Sequence, residues 1–324
     1  MISRYVAVDG GNSKTDVVIG TSSGTVLATA RGPGSSPHHL GVSGALALID
    51  SLIATARKRA ELPPSTVLDR AEVYLAGADL PSEVEALNQA VDQTGWAREH
   101  RVDNDTFALL RAGTDAPDAV AVVCGAGINC VGRTADGRTA RFLSLGQISG
   151  DWGGGHHLGA LVLYHAVRGE DGRGPATSLS ATVAAIFGRS TVEEVSAALH
   201  LGEIAPERIH GLAPVLFAAA AAGDAVAARV VARQATEIVS MVRVAAGRLG
   251  MLDTVYCVVL GGSVLAARHP LLHHAVIAGI PTHSPHASIT LVAQRPVTGA
   301  ALLALDALGA SPAAAVRLRA ALTD

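Results

Sequence analysis

An α/β protein of two similar layers facing each other across a central cleft is the fold class this sequence predicts, on three observations. Residues 6–30, VAVDGGNSKTDVVIGTSSGTVLATA, run strand, glycine turn, strand, Ser-Ser-Gly turn, strand. Residues 120–142, VAVVCGAGINCVGRTADGRTARF, repeat that order, with Gly125-Ala126-Gly127 standing where Asp9-Gly10-Gly11 stood. An internal repeat on this scale is the mark of duplicated domains. The third observation is the buried-strand pattern of residues 254–260, which ends in Gly261-Gly262-Ser263 and enters a helix. Open α/β sheets place ligands at such carboxyl strand ends. The expected division is 1–113 and 114–324, with the boundary in the stretch 111–118 and the last helix free to pack back on the first domain.

The elements follow in order. An amphipathic helix is expected over 42–62, a short strand over 72–76, a helix over 81–94, a strand ending near Val102 and a helix from 106 to 111. After the second meander, helices are expected over 158–168, 177–187, 191–199 and 224–249, the last one long. No long linker or low-complexity tract interrupts them.

Composition narrows the function. The chain has 324 residues, 49% of them hydrophobic, enough for two domain cores. Its net charge of -3 and 3% aromatic content argue against a nucleic-acid face, which calls for basic and stacking side chains. Cys124, Cys130 and Cys257 have no metal or redox spacing and lie in apolar runs. Asp9 interrupts the first apolar run too early for a signal peptide, and the apolar stretch at 215–222 is far short of the ~18 residues of a membrane span. A cytoplasmic protein is expected, without nucleic-acid or membrane partners. The adjacent pairs His38-His39, His156-His157 and His273-His274 are poor chelates, because helix neighbours point apart.

The turn Asp9-Gly10-Gly11-Asn12-Ser13-Lys14-Thr15 combines backbone freedom with hydroxyl and ammonium donors, which suits a phosphate. It is not a Walker loop, since no glycine stands five residues before a Gly-Lys pair and a strand follows it. The same residues also suit an ordinary hairpin turn. Lys14 is one of only two lysines in a chain that otherwise uses arginine. The segment Asp103-Asn104-Asp105 offers carboxylates at a strand end, though Asp105 also suits a helix cap.

With these motifs in hand, the chain resembles the actin-like, ribonuclease H-like ATPase superfamily of sugar kinases, actin and chaperones. Within it, the chain is similar to the N-acetylglucosamine kinase and BadF/BadG/BcrA/BcrD group. The residues that carry the resemblance are Asp9 to Thr15, Gly125-Ala126-Gly127-Ile128-Asn129-Cys130, Gly150-Asp151-Trp152-Gly153-Gly154-Gly155 and Leu260-Gly261-Gly262-Ser263-Val264. It implies ATP and Mg²⁺ as cofactors. Gly10, Gly11, Ser13, Lys14 and Thr15 would hold the β- and γ-phosphates, Gly125, Ala126 and Gly127 would face them, and Gly261 and Gly262 would lie on the adenosine side. Asp9 would anchor the metal through water. Asp105 would be the general base, with Asp103 as the fallback.

Asp151, Asn129, the backbone at Gly146 and His38 would meet the sugar. The implied reaction is transfer of the γ-phosphoryl group of ATP to a hydroxyl of an amino sugar, N-acetylglucosamine above glucosamine or another hexosamine, by a homodimer. Three positions depart from the pattern: Trp152 replaces a glutamate, Pro37 an asparagine and Ile128 a serine, which bears on the sugar and not on the phosphate machinery. An activator ATPase would need cluster-binding cysteines, and Cys124 and Cys130 sit in the core strand and the phosphate loop. An actin-like nucleotide sensor is the non-enzyme alternative, against which Asp105 and Asp151 both speak.

Overall fold

The computed structural model describes residues 2–323. The chain opens with β1 (Arg4–Gly10), β2 (Lys14–Thr21) and β3 (Val26–Pro33). β1 pairs antiparallel with β2 from Arg4↔Thr21 to Gly10↔Thr15, and β2 pairs antiparallel with β3. Tyr5 to Val8 and Val17 to Ile19 are fully buried, so these strands are covered on both faces, which is why they read as continuous apolar runs.

Helix α1 (Pro37–Arg59) begins five residues before the expected start. Pro37 explains the difference: its fixed φ and missing N–H suit the first helical turn, ahead of any apolar periodicity. Gly41, at φ 67°, interrupts the helical path, and Arg57, Lys58 and Arg59 complement the dipole at the far end. By length and composition α1 could cross a membrane. It instead buries Ala45, Ile49, Leu52, Ile53 and Ala56, one helical stripe, in the core that holds Val6, Val17 and Val73. Each fully buried Ile or Leu there contributes roughly 1.5–3 kcal/mol.

β4 (Leu68–Leu75), α2 (Pro81–Asp92), β5 (Ala97–Asn104) and α3 (Asp105–Gly113) complete this run. β4 is longer than expected, because Leu68 to Ala71 pair alongside β5 and β1. The sheet order is β3-β2-β1-β4-β5, with β1, β4 and β5 parallel.

β6 (Ala119–Cys124), β7 (Ile128–Arg133) and β8 (Thr139–Arg141) form the second meander. Then come α4 (Gly155–Glu170), α5 (Leu179–Ile186), α6 (Val192–His200), α7 (Ala213–Ala221) and α8 (Ala225–Leu249). β9 (Cys257–Gly261), α9 (Ser263–Ala266), α10 (Pro270–Gly279) and β10 (Ser288–Leu291) follow. β9 starts three residues later than expected, since Thr254 closes a turn onto the Met251 carbonyl. The order of this sheet, β8-β7-β6-β9-β10, is third, second, first, fourth, fifth, the same as in the first sheet. The duplication read from the two meanders thus extends to whole sheets.

The last helices are α11 (Pro296–Ala307) and α12 (Pro312–Ala321). The chain divides into one compact unit of residues 1–121 with 292–324, and another of 122–291. The sequence expectation drew its line at 113/114; the contact division falls inside β6 and counts α11 and α12 with the first unit. There α11 lies against α3 so closely that a side chain on Gly299 would strike the Ala108 carbonyl. Arg111 clamps the pair, giving Nε to Asp306 Oδ2 at 2.7 Å and a second nitrogen to Oδ1 at 3.1 Å.

Candidate active site

In the first unit, strand register sets one row of side chains across the sheet: Arg31, Asp16, Asp9, Tyr74 and Asp103 are successive cross-strand partners. Like charges side by side are unfavourable. Asp16 is relieved by Arg31, which binds it bidentately at 2.6 and 3.1 Å. Asp103 is relieved by Arg101 at 2.9 Å and by the Asn104 amide at 2.8 Å. Asp9 has neither a hydrogen bond nor an ion pair among the described residues, and it is buried. Its carboxyl is pushed up to about 8, by burial first and then by the charges of Asp105 and Asp16, with Lys14 and Arg295 opposing.

Asp105 lies two residues beyond Asp103, as the first residue of α3. The capping role open to it from sequence belongs to its neighbour: Asn104 Oδ1 accepts from the Thr106 amide at 3.0 Å. Asp105 is thus relieved of the cap, and its carboxylate has only local hydrogen bonding at Thr106 and at its own amide. Burial pushes it up to about 6, with hydrogen bonding at Thr106 and at its own amide pulling the other way. Asp103, the fallback, is committed to Arg101 and Asn104.

Gly10 stands where a Cβ would collide with the Ser35 hydroxyl and Leu75, so the turn after β1 requires glycine there. Gly11 donates to the Lys14 carbonyl at 2.9 Å, and its own carbonyl accepts from Ser35 at 3.1 Å. Thr15 is fully buried and donates to Ser35 Oγ at 2.8 Å, which leaves Ser13 and Lys14 as the exposed polar groups of the turn with Asn12. Lys14 Nζ lies 3.8 Å from Asp16, half exposed. A loose, solvated pair of this kind holds a cation weakly, leaving it available to an anion. Lys14→Ala should accordingly raise the KM for ATP about 10-fold or more and leave sugar affinity within about twofold; equal loss of both in calorimetry would place the lysine elsewhere.

His38 is exposed at the start of α1, with Nε2 2.9 Å from Glu83 Oε1. Ligand atoms of His38, Asp79 and Glu83 come within 4.8 Å of one another, the one such cluster among the described residues. Their oxygens already accept from the Asp79 and Leu80 amides and from Asn104, so this is a poor cation cage as it stands.

In the second unit the glycine segments pack backbone to backbone. Gly262, at φ 89°, leaves no room for a Cβ beside the Cys124 carbonyl, and Gly154, at φ 80°, none beside Gly127. The Gly125 and Ala126 carbonyls accept from Gly155 and His156 at 2.7 and 3.0 Å, fixing the loop to the start of α4. Gly127 faces open space. Gly261 ends β9, a fully buried strand. Asn129 Oδ1 turns back to the Cys130 amide at 2.6 Å. Gly146 and Asp151 come together: Asp151 Oδ2 accepts from the Gly146 amide at 2.9 Å and from Ser149 Oγ at 2.7 Å. Trp152 carries the Arg233 guanidinium over its ring at 4.7 Å and the His157 ring at its edge, 5.2 Å away. One indole face is thereby covered by the protein itself.

Sequence reasoning missed Asn104 as the cap, Arg295 near Asp9, and the Asp79–Glu83 pair. Glu83 had a signal, as the acid two residues after Pro81 at a helix start; Arg295 had none, being nearly two hundred residues from α3.

Residues 6–304 match the BadF/BadG/BcrA/BcrD ATPase family, and the chain belongs to that family. Among curated relatives it is 26% identical over 314 residues to the N-acetyl-D-glucosamine kinase of Dictyostelium discoideum, covering 93% of this chain and 98% of that one. It is 26% identical over 190 residues to the N-acetylmuramic acid/N-acetylglucosamine kinase of Clostridium acetobutylicum, 59% of this chain and 62% of that one. Among solved structures it is similar to one from Chromobacterium violaceum described as a candidate N-acetylglucosamine kinase, with a TM-score of 0.71, 21% identity, and 93% and 99% coverage. It shares its fold with the glucokinase of the ROK family from Streptomyces griseus, with a TM-score of 0.52, 16% identity, and 94% and 99% coverage.

Proposed function

We propose that this chain is an ATP-dependent kinase of amino sugars, with N-acetylglucosamine as its first substrate. The observation that carries the reading is the pair Asp9 and Asp105, a buried and a half-buried carboxyl raised to about 8 and about 6, beside a glycine turn whose lysine is half exposed and only loosely paired with Asp16. Carboxyls displaced this far from their usual range are where proton and metal chemistry is found. The relatives' names support the substrate class. Work in the cytoplasm and assembly as a homodimer belong to the same proposal.

Asp9 fits a magnesium ion: a buried carboxylate with no hydrogen-bond partner and two acidic neighbours gains most from a cation. When bound with the nucleotide, Mg²⁺ supplies charge neutralisation at the β- and γ-phosphates. Lys14 and the backbone around Gly11 would draw the phosphates to the turn. Asp105 would accept the proton of the attacking sugar hydroxyl, its carboxylate oriented by the first turn of α3 and its capping work done by Asn104. Asp151, tied to Gly146 and Ser149 through one oxygen, would offer the other to a sugar hydroxyl.

The test is a coupled ADP-release assay with Mg-ATP and N-acetylglucosamine, glucosamine, glucose, N-acetylmannosamine or N-acetylmuramic acid. An amino sugar should be preferred, with N-acetylglucosamine ahead of glucosamine by a small margin. Each sugar-reading group left unpaired costs about 1–3 kcal/mol, and Pro37 and Trp152 stand at reading positions. ADP release that no sugar stimulates, with nucleotide bound, would overturn the kinase reading in favour of a sensor.

A further inference from the structure

A polar network in the first unit joins the loops that follow β3, β4 and β5. His38 Nε2 meets Glu83 Oε1 at 2.9 Å. Glu83 Oε2 accepts from the Asp79 and Leu80 amides at 3.0 and 2.8 Å. Asp79 Oδ1 accepts from Asn104 Nδ2 at 2.7 Å, and Asn104 Oδ1 caps α3 directly ahead of Asp105. We propose that Glu83 is a positioning residue for the acceptor side of the site. It fixes the hydrogen-bond polarity of His38 and, through the 79–80 turn, steadies the start of α3. The proposal rests on the amino-sugar kinase reading and names what the acceptor must present at His38.

The polarity follows from the chemistry of the partners. Partial burial pushes the Glu83 carboxyl up, but the Leu80 and Asp79 amides and His38 more than reverse this and hold it below the usual glutamate range. An ionised carboxylate only accepts. His38 Nε2 therefore donates, and in the neutral ring Nδ1 is an acceptor. Such a histidine reads a donor, which an alcohol or an acetamido N–H supplies and an ether or ester oxygen does not.

A second, independent feature lies at the same spot. Ser36 occupies the N-cap position of α1 yet makes no capping bond, and its buried hydroxyl has no partner. A buried polar group of this kind calls for a missing partner. A Cβ placed on Gly77, which has φ 87°, would lie 3.2 Å from Ser36 Oγ and 3.2 Å from the His38 ring. The carbon edge of the ring and the orphan hydroxyl thus pack closely around a bare glycine. An acceptor hydroxyl that donates to His38 Nδ1 matches the polarity of the ring. A metal ion matches the cluster less well, because His38 Nε2 would have to give up the proton it donates to Glu83 and the two carboxylates already accept four hydrogen bonds.

Glu83→Gln tests this directly. Its amide oxygen still accepts from the 79–80 turn, so the thermal midpoint should hold. Its NH₂ donates to His38 Nε2 and so reverses the ring. The expected result is a sugar KM raised about 5–10-fold with ATP KM within twofold, while Glu83→Ala raises the sugar KM further and also lowers the midpoint. Imidazole ¹⁵N spectra at about pH 9, above the ordinary histidine range, should show the Nε2–H tautomer of His38 in the wild type and Nδ1–H in Glu83→Gln. A wild-type ring with no Nε2–H preference, or a Glu83→Gln enzyme with native sugar KM, overturns the inference while sugar-stimulated turnover stands. A wild-type enzyme that no sugar stimulates overturns the kinase reading instead, and this inference with it.

Discussion

Replacing Asp105 by Asn should lower turnover about 10²- to 10⁴-fold, the usual share of a general base, with KM for sugar and ATP changed by no more than a few-fold. The amide has the carboxylate's shape and can keep its place in the first turn of α3, but it accepts no proton. Because Asn104 provides the cap, the substitution should leave the midpoint of thermal unfolding near its native value. The wild-type pH profile supplies an independent check. With the Asp105 carboxyl of the free enzyme pushed up to about 6, kcat/KM should fall as pH drops through that value and the base becomes protonated. The variant should lose this limb. Near-native turnover in Asp105→Asn would not move the role to Asp103, whose carboxylate is held by Arg101 and the Asn104 amide. It would mean that positioning alone carries the transfer, which a loose phosphoryl transition state permits.

What could be read in advance, and what could not, follows from where each constraint resides. The turns at Gly10, Gly154 and Gly262 were legible because the backbone itself demands glycine there: no side chain fits beside Ser35, Gly127 or Cys124. The duplicated meanders were legible because continuous apolar strands and paired turns are local patterns. The two acids and the amide at the end of β5 were harder. Asp103, Asn104 and Asp105 all suit a cap, and only the register Tyr74↔Asp103 and Leu75↔Asn104 decides which residue takes it. Residues supplied from elsewhere left no local trace. Arg295 reaches the neighbourhood of Asp9 only because α11 returns to the first unit. The Ala-rich helices α7, α11 and α12 gave little periodicity, since alanine marks neither a buried face nor an exposed one. Lys14 was expected to meet nucleotide alone, and its proximity to Asp16 depended on the alternation of β2, which puts Lys14 and Asp16 on the same face.

Replacing Asp9 by Asn should abolish most Mg-ATP-dependent turnover, by about 10³-fold, and at the same time make the nucleotide-free protein more stable near pH 8. The two effects have one cause. In the folded chain Asp9 keeps its proton up to about pH 8, because burial and then Asp105 and Asp16 oppose its charge. In the unfolded chain it loses that proton near pH 4. Between those values the folded state binds the extra proton, so stability falls as pH rises, by up to about 1.4 kcal/mol per pH unit. Above about pH 8 both states are ionised and the full penalty, a few kcal/mol, stands. Asn carries no charge and escapes it. Differential scanning calorimetry should therefore show the variant's midpoint several degrees above the wild type at pH 8 and close to it at pH 5. Mg-ATP should raise the wild-type midpoint and leave the variant's nearly unchanged, since the cation has lost its carboxylate. Apparent Mg²⁺ affinity of the wild type should strengthen about tenfold per unit from pH 6 to 8, as metal and proton compete for one group. A variant less stable than the wild type at pH 8, or one that Mg-ATP still stabilises fully, would show that Asp9 is ionised and satisfied without the metal, and the site would have to be rebuilt around another acid.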